Sequence, residues 1–270
     1  MEQRVSISIT DGVADVRLVR ADKMNALDAA MFEALIGASD RLSGEKAVRA
    51  VVLSGEGRAF CAGLDMDRFA AMKERGGNGI LGGENRDLSE RTLGLANAPQ
   101  QAVWGWRQLA VPVIAAVQGV AFGGGFQLAL GADVRFLAPD ARMSIMEIKW
   151  GLVPDMAGTP ILASLVRDDI LRELTYTGRI FSAQEALAYG LATRVCDDPR
   201  AAAFEVAREI AGMNPDAIRA AKRLLNKLTV DPGPALLAES VEQQKLIGSS
   251  NQLEAVRANI EKRAPKFADA

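Results

Sequence analysis

The chain has 270 residues, of which 49% are hydrophobic and 24% are charged, values typical of a globular protein with a sizeable core. Its 32 basic and 34 acidic residues nearly cancel, which argues against a nucleic-acid surface or a polybasic membrane face. No apolar run approaches the length of a membrane span, and the first residues do not resemble a signal peptide, so we expect a cytoplasmic protein.

Histidine is absent from the chain, and cysteine occurs only at Cys61 and Cys196. The absence of histidine excludes Ser-His-Asp catalysis, Cys-His catalysis and any His-ligated metal site. Two cysteines so far apart match neither a disulfide framework nor zinc spacing. Any chemistry must therefore use carboxylates, backbone amides, Lys, Tyr, Ser or a bound cofactor.

Strand and helix patterns alternate through the first third of the chain. Asp11-Gly12 is a hairpin turn signal, and Asp28 is a suitable N-cap for the first helix. In chain order, the elements predicted here are strands Val5–Thr10 and Val13–Val19, a helix from Asp28 to about Leu42, strand Ala50–Leu53 and helix Pro99–Leu109. Met72–Arg86 is rich in glycine and shows little periodicity, so we predict a mobile or weakly helical segment that covers a site.

A strand, three glycines and the start of a helix follow one another between Val111 and Asp133. The apolar run Val113–Val117 predicts a buried strand. Gly123–Gly125 then leaves backbone N–H groups accessible at the start of a helix, an arrangement that binds anions. The same glycines also suit close packing of a helix on a strand, and three glycines alone do not separate the two interpretations.

Strand and helix patterns continue to about residue 200, after which only helices are predicted. Ser182 with Glu185 matches a capping box, and Gly190 is suited to end that helix. The predicted elements are strands Val134–Leu137 and Met143–Ile145, helices Thr159–Leu165 and Ser182–Tyr189, strand Leu191–Cys196, and helices Ala201–Met213, Pro215–Leu228 and Pro234–Arg263. The pattern indicates an α/β core followed by helices whose apolar side covers the core or binds another subunit.

Six short motifs together resemble the enoyl-CoA hydratase/isomerase (crotonase) superfamily in their order and spacing. The motifs are Asp22–Leu27, Phe60–Asp65, Gly123–Gly125, Gly151–Pro154, Thr177–Arg179 and Ser182–Ala186. The resemblance runs from about Val13 to Lys227. Each motif alone is modest, whereas the set is specific.

This resemblance implies an α/β fold in which ββα units form a spiral over residues 1–199. A C-terminal helical region, residues 200–270, is then expected to cover the substrate and to mediate assembly into a homotrimer or a dimer of trimers. The implied substrate is an acyl-CoA thioester. Coenzyme A is part of that substrate, and neither a metal nor a redox cofactor is implied.

By motif position, the resemblance assigns the family's two thioester-binding N–H groups to Ala62 and Gly124. Such an oxyanion hole stabilises the negative charge that grows on the thioester oxygen when a proton leaves or water adds. Loss of one such donor typically costs about 3–4 kcal/mol of transition-state stabilisation.

Side chains distinguish the activities of the superfamily. Hydratases use two glutamates, and the corresponding positions here are Gln127 and Glu147. An amide accepts no proton near pH 7 and can only orient a water, which disfavours simple hydratase activity. Asp155 matches an acid that dienoyl-CoA isomerases pair with their glutamate to move a proton between the ends of a diene. Those isomerases carry Asp where this chain has Gln127.

The acids therefore predict an enoyl- or dienoyl-CoA double-bond isomerase that uses Glu147 and Asp155. One alternative is an enoyl-CoA hydratase in which Gln127 holds the water, and another is a family member that binds acyl-CoA without catalysis. Alternatives also stay open for the acids themselves: Glu147 as a salt-bridged surface acid, and Asp155 as the N-cap of the helix that enters at Thr159.

Further positions are assigned to the substrate by the same resemblance. The predicted coenzyme A contacts are Lys23, Ala26, Asp65 and Met66. Lys23 also fits an ordinary solvated loop, and Asp65 also fits a cap of the following helix. The aromatic residues that line the acyl pocket or belong to the core are Trp104, Trp106 and Phe122. Cys61 has no histidine to activate it and is predicted to be a packing residue.

Overall fold

Strands and helices alternate along the chain, and the computed structural model describes residues 3–68, 87–227 and 232–266. The strands are β1 (Val5–Thr10), β2 (Val13–Leu18), β3 (Ala50–Gly55), β4 (Val113–Val117), β5 (Val120–Phe122), β6 (Val134–Leu137), β7 (Arg142–Ser144), β8 (Phe181–Ser182) and β9 (Arg194–Val195). The helices up to β9 are α1 (Ala29–Gly44), α2 (Ala98–Gln108), α3 (Gly124–Leu130), α4 (Gly158–Leu162), α5 (Asp168–Thr177) and α6 (Ala183–Ala188). The helices after β9 are α7 (Pro199–Ala211), α8 (Pro215–Lys227), α9 (Pro232–Leu246) and α10 (Ser250–Ile260).

The described strands form two sheets. The larger has the order β1-β2-β3-β4-β6-β9 and the smaller the order β5-β7-β8. β1 and β2 form an antiparallel hairpin, and every other neighbouring pair of the larger sheet is parallel. Successive turns of the chain place one strand in each sheet: β4 and β5, then β6 and β7, then β8 and β9. The chain therefore winds as a spiral, as the resemblance implied.

The larger sheet is covered on both faces. The main core packs α1, α2 and α3 against one face. On the other face lies α7, whose small side chains Ala203, Ala207 and Ala211 allow a close approach to the sheet residues Val52 and Ile114. The first helix of the predicted C-terminal region is thus part of the core packing, while the separate role of residues 200–270 stays a prediction.

Local capping follows the sequence predictions closely. The Asp28 carboxylate accepts a hydrogen bond from the Met31 N–H at 2.8 Å and caps α1. Ser182 and Glu185 form the predicted capping box at the start of α6. The turn between β1 and β2 places Asp11 and Gly12 at positive φ, as a tight hairpin requires.

Several predicted elements differ from those observed. The single helix predicted over Pro234–Arg263 is two helices, because Gly248 adopts a φ of 78° and Ser249 caps α10. Helix α5 was not predicted, although Ile170, Leu171 and Leu174 form an apolar stripe that packs against the main core. The prediction for Met72–Arg86 lies outside the described residues. Among the helices that the structure describes, none is long and apolar enough to span a membrane.

Candidate active site

A cavity of about 410 Å³ collects most of the predicted site residues. The predicted residues that line it are Lys23, Ala26, Ala62, Asp65, Met66, Phe122, Gly124, Glu147 and Asp155. Gln127 lies behind the wall and is hydrogen-bonded to Glu147. Trp104 and Trp106 belong to the main core instead and do not line the cavity.

The backbone of residues 61–65 corrects one predicted oxyanion donor. The Ala62 N–H already donates to the Met24 carbonyl at 2.9 Å, so the assignment of Ala62 as a donor is wrong. Next to it, Leu27 donates to the Gly63 carbonyl at 2.8 Å and accepts from the Asp65 N–H at 3.1 Å. In extended backbone successive N–H groups alternate in direction, which leaves the N–H of the intervening cavity residue, Leu64, pointing away from Leu27.

The N–H groups of Leu64 and Gly124 donate to no atom in the described part of the chain. Gly124 is the first residue of α3, where a helix leaves its N–H groups without internal partners. The two stretches touch, because a Cβ on Gly63 would lie 3.8 Å from the Gly124 nitrogen. Two backbone N–H groups without a partner in the described chain therefore lie close together beside the cavity, at Gly124 and at Leu64 rather than Ala62, and their role as an oxyanion hole stays a prediction.

Glu147 begins a 3₁₀ helix (Glu147–Trp150) and is buried. Its Oε1 accepts a hydrogen bond of 2.6 Å from the Gln127 Nε2, whereas its Oε2 has no partner among the described residues. Burial raises the pKa of Glu147 to about 7, against the opposing effect of the Gln127 bond. The alternative of a salt-bridged surface acid is wrong, and the group is suited to exchange a proton near neutral pH.

Gln127 is fixed at both ends of its side-chain amide. Its Oε1 accepts from the N–H groups of Met156 and Gly158, each at 2.9 Å. Its Nε2 therefore faces Glu147, and its oxygen has no capacity left to hold a water strongly. Gln127 therefore donates a hydrogen bond to the Glu147 carboxyl and does not itself accept a proton.

Asp155 is a second buried acid of the cavity. Burial, followed by the negative charges of Glu239 and Glu147, raises its pKa well above the ordinary value. Its Oδ2 has no hydrogen-bond partner in the described chain. The N-cap position of α4 is held by Ala157, so the alternative that Asp155 caps this helix is wrong.

Two polar residues of α9 were missed by the sequence reasoning. Glu239 and Gln243 are buried, and Gln243 lines the cavity. The sequence signal for them is a polar stripe at helical spacing that also includes Ser240, next to the buried Leu236. The predicted apolar side of this helix is partly wrong, because Leu237 is 42% exposed.

All four predicted coenzyme A residues line the cavity. Lys23 and Met66 are exposed there, whereas Asp65 is buried. The Asp65 carboxylate pairs with Arg20 at 2.5 Å and accepts from the Asp67 N–H at 3.0 Å. Burial works to raise the pKa of Asp65, but the Asp67 N–H and Arg20 outweigh it and hold the pKa below its usual value. The carboxylate therefore caps and anchors the loop.

Cys61 is fully buried and packs behind the cavity wall. Its Sγ donates to the Asn25 carbonyl at 3.1 Å, and burial raises the pKa of the thiol to about 12. The thiolate needed for nucleophilic chemistry is therefore disfavoured, as predicted. Within the described residues, no group of three or more Cys, Asp or Glu side chains is arranged to hold a metal ion.

Comparison with protein-family models matches residues 8–270 to the model described as enoyl-CoA hydratase/isomerase. The chain is 31% identical to the mitochondrial methylglutaconyl-CoA hydratase of Mus musculus, over 95% of this chain and 79% of that protein. It is 32% identical to the carnitinyl-CoA dehydratase of Proteus mirabilis, over 99% of each.

The fold is also similar to solved structures. An enoyl-CoA hydratase/isomerase from Pseudoalteromonas atlantica superposes with a TM-score of 0.84 at 28% identity, over 98% of this chain and 100% of that chain. This likeness confirms the predicted α/β fold.

Proposed function

The chain belongs to the enoyl-CoA hydratase/isomerase family, and on that basis we propose that it shifts a double bond within an acyl-CoA thioester. One observation carries the proposal: two buried carboxyl groups, Glu147 and Asp155, line one cavity, and each has an oxygen without a partner in the described chain. Buried polar atoms are normally hydrogen-bonded, so these oxygens are suited to meet a ligand.

In the proposed reaction, the N–H groups of Leu64 and Gly124 donate to the thioester oxygen. The Glu147 Oε1 lies 3.5 Å from where a Cβ of Gly123 would be, so this carboxyl is next to the oxyanion donors. Glu147 therefore removes the proton from the carbon beside the thioester carbonyl, and the C–H electron pair enters a conjugated enolate.

Asp155 completes the transfer at the far end of the conjugated system. It gives its proton to the terminal carbon of the diene, so that a 3,5-diene becomes a 2,4-diene with no net change in atoms. Because the pKa values of both acids are raised, the pair retains a proton close to neutral pH, as such a shuttle requires. The reaction consists of proton transfers alone, so we propose no cofactor besides the coenzyme A of the substrate.

A second candidate is an enoyl-CoA hydratase, and the names of the relatives favour it. In that reaction Glu147 would act on the water alone, because Gln127 stands where a hydratase has its second glutamate. The locked amide of Gln127 has a donor but no free acceptor, which supports isomerisation over hydration. A trimeric or hexameric assembly and a cytoplasmic location stay predictions.

The test compares a 3,5-dienoyl-CoA with crotonyl-CoA as substrates, followed by absorbance. Asp155→Asn should lower isomerisation of the diene at least about a hundredfold, the usual contribution of a general acid or base. The matched control is Asp140→Asn, since Asp140 is exposed in the turn before β7. Full activity of Asp155→Asn on the diene would refute the proposal. Turnover of crotonyl-CoA alone would identify a hydratase, and no turnover of either would indicate a binding protein.

A further inference from the structure

Helix α9 contacts the loop that carries Asp155 at several points along residues 153–159. We infer that Glu239 and Gln243, one turn apart on α9, are positioning residues that hold this loop and thereby place Asp155 in the cavity. The inference rests on the proposed function only for the role of Asp155 in catalysis. The hydrogen bonds that carry it are independent of the reaction.

The four residues 156–159 lead into α4, and their backbone N–H groups donate alternately to two side chains. The groups of Met156 and Gly158 donate to the Gln127 Oε1. The alternate groups, those of Ala157 and Thr159, donate to Glu239 at 3.0 and 2.8 Å. The segment is therefore held from α3 on one side and from α9 on the other.

Glu239 is surrounded by donors. Its Oε1 also accepts from the Thr159 hydroxyl, and its Oε2 also accepts from the Gln100 Nε2 at 3.1 Å. Burial raises the pKa of Glu239, and the donors of Thr159, Gln100 and Ala157 oppose that effect. Both oxygens of Glu239 accept hydrogen bonds, and an ionised carboxylate accepts at both oxygens, so these donors favour the ionised form of Glu239.

The backbone at Ala157 shows that the loop is held against its own preference. Ala157 adopts a φ of 65°, the left-handed region that residues with a Cβ rarely occupy. Such a conformation persists only where the surrounding contacts over-determine it. The bonds to Glu239 and Gln127 on either side of Ala157 are contacts of that kind.

Gln243 holds the other end of the loop. Its Oε1 accepts from the Val153 N–H at 3.1 Å, and its side chain hydrogen-bonds the Asp155 carboxyl. That bond lowers the pKa of Asp155, whereas the charge of Glu239 raises it. The two residues of α9 thus change the pKa of Asp155 in opposite directions.

Other charged groups act on the same region. Glu147 also lines the cavity, and its negative charge likewise raises the pKa of Asp155. Arg91 interacts with Glu239 electrostatically and donates to the Gln100 Oε1 at 2.9 Å. These groups are unchanged in the variants below, so a shift in the pH profile reports the substituted residue.

The variants Glu239→Gln and Gln243→Met separate the positioning role from a general effect on stability. Both should lower kcat on the dienoyl-CoA at least tenfold, with a smaller change in KM. Glu239→Gln should shift the pH profile of kcat/KM to lower pH, because a negative charge near Asp155 and Glu147 is lost. Gln243→Met should shift it to higher pH. The control is Glu242→Gln, since Glu242 is exposed on the same helix and pairs with Lys245.

Amide hydrogen exchange of the ligand-free protein tests the contact without the reaction. In Glu239→Gln, exchange should accelerate at least tenfold at Ala157 and Thr159 and remain unchanged in β3. Uniform acceleration throughout the chain, or unchanged exchange at residues 153–159, would overturn the inference. Opposite pH shifts support it even if one variant folds poorly, whereas parallel shifts refute it. Full activity of Asp155→Asn would instead overturn the proposed function and leave the exchange result to decide the contact.

Discussion

The hydrogen bond between Gln127 and Glu147 provides a test of how the site is charged. The Gln127 Nε2 lies 2.6 Å from the Glu147 Oε1, and both side chains are buried. Gln127→Glu would place a second carboxyl at this separation. A single shared proton fits there, because charge-assisted O–H···O bonds are about 2.5–2.7 Å long. We therefore expect the variant to fold with one of the two carboxyl groups protonated.

Removal of that shared proton is costly. Two unit charges 2.6 Å apart repel by about 6 kcal/mol at an effective dielectric constant of about 20, which is more than four pKa units. In the wild type, burial raises the pKa of Glu147 from 4.5 to about 7, so its protonated form stabilises the fold at low pH. That stabilisation is lost as the pH rises from about 4.5 to about 7, a change of about 3 kcal/mol.

The variant should lose stability over a wider range of pH. Above pH 7 the wild-type contribution of Glu147 is constant, because the group is ionised in both folded and unfolded states. The folded variant still holds one proton that the unfolded chain has released. Its free energy of unfolding should therefore fall, relative to the wild type, by about 1.4 kcal/mol per pH unit between pH 7.5 and 9.

Urea denaturation at a series of pH values measures this difference. Gln108→Glu is the control, since Gln108 is exposed at the end of α2 and the chemical change is the same. Parallel curves for Gln127→Glu and the wild type would refute the reasoning, because they would mean that the two side chains do not meet. At pH 7 the variant also supplies one acid and one base, so hydration of crotonyl-CoA should rise at least about tenfold.

Two further predictions concern the oxyanion donors and the assembly. An amide-to-ester replacement at Leu64 removes its N–H and should lower kcat about 10²–10³-fold. The same replacement at Ala62 breaks only the hydrogen bond to the Met24 carbonyl and should affect mainly the stability of the fold. Equal losses of kcat in the two variants would contradict this prediction. The exposed Leu224 and Leu225 of α8 and the family membership lead us to expect a trimer or hexamer of the 28.8 kDa chain, and light scattering that shows a monomer at micromolar concentration would exclude it.

Much of the fold was predictable from local sequence. The hairpin at Asp11-Gly12, the cap at Asp28 and the capping box at Ser182 depend on neighbouring residues, and the structure confirms each of them. The motifs also indicated the family, which the comparisons confirm. Helix α5 was missed although Ile170, Leu171 and Leu174 give it an apolar stripe at helical spacing, so local sequence did contain the signal for this helix.

Which N–H group of residues 61–65 is left without a partner could not be assigned from local sequence. Ala62 precedes Gly63 and Leu64 follows it, and the N–H group of either residue would suit the motif. Which of them is free depends on Leu27, which bonds to the Gly63 carbonyl and the Asp65 N–H, and on Met24, which takes the Ala62 N–H. The direction of an N–H group is thus decided by the backbone that lies beside it.

The sequence indicated both acids, and burial beside an acyl chain led us to expect a raised pKa for at least one of them. The structure is needed to show that Glu147 and Asp155 are both buried and that burial raises the pKa of each. Glu239 and Gln243 stand some 80 or more residues further along the chain, on a helix whose pattern indicated only an apolar side. Only the folded chain brings that helix to Asp155, because contacts between distant segments depend on packing and not on local propensity.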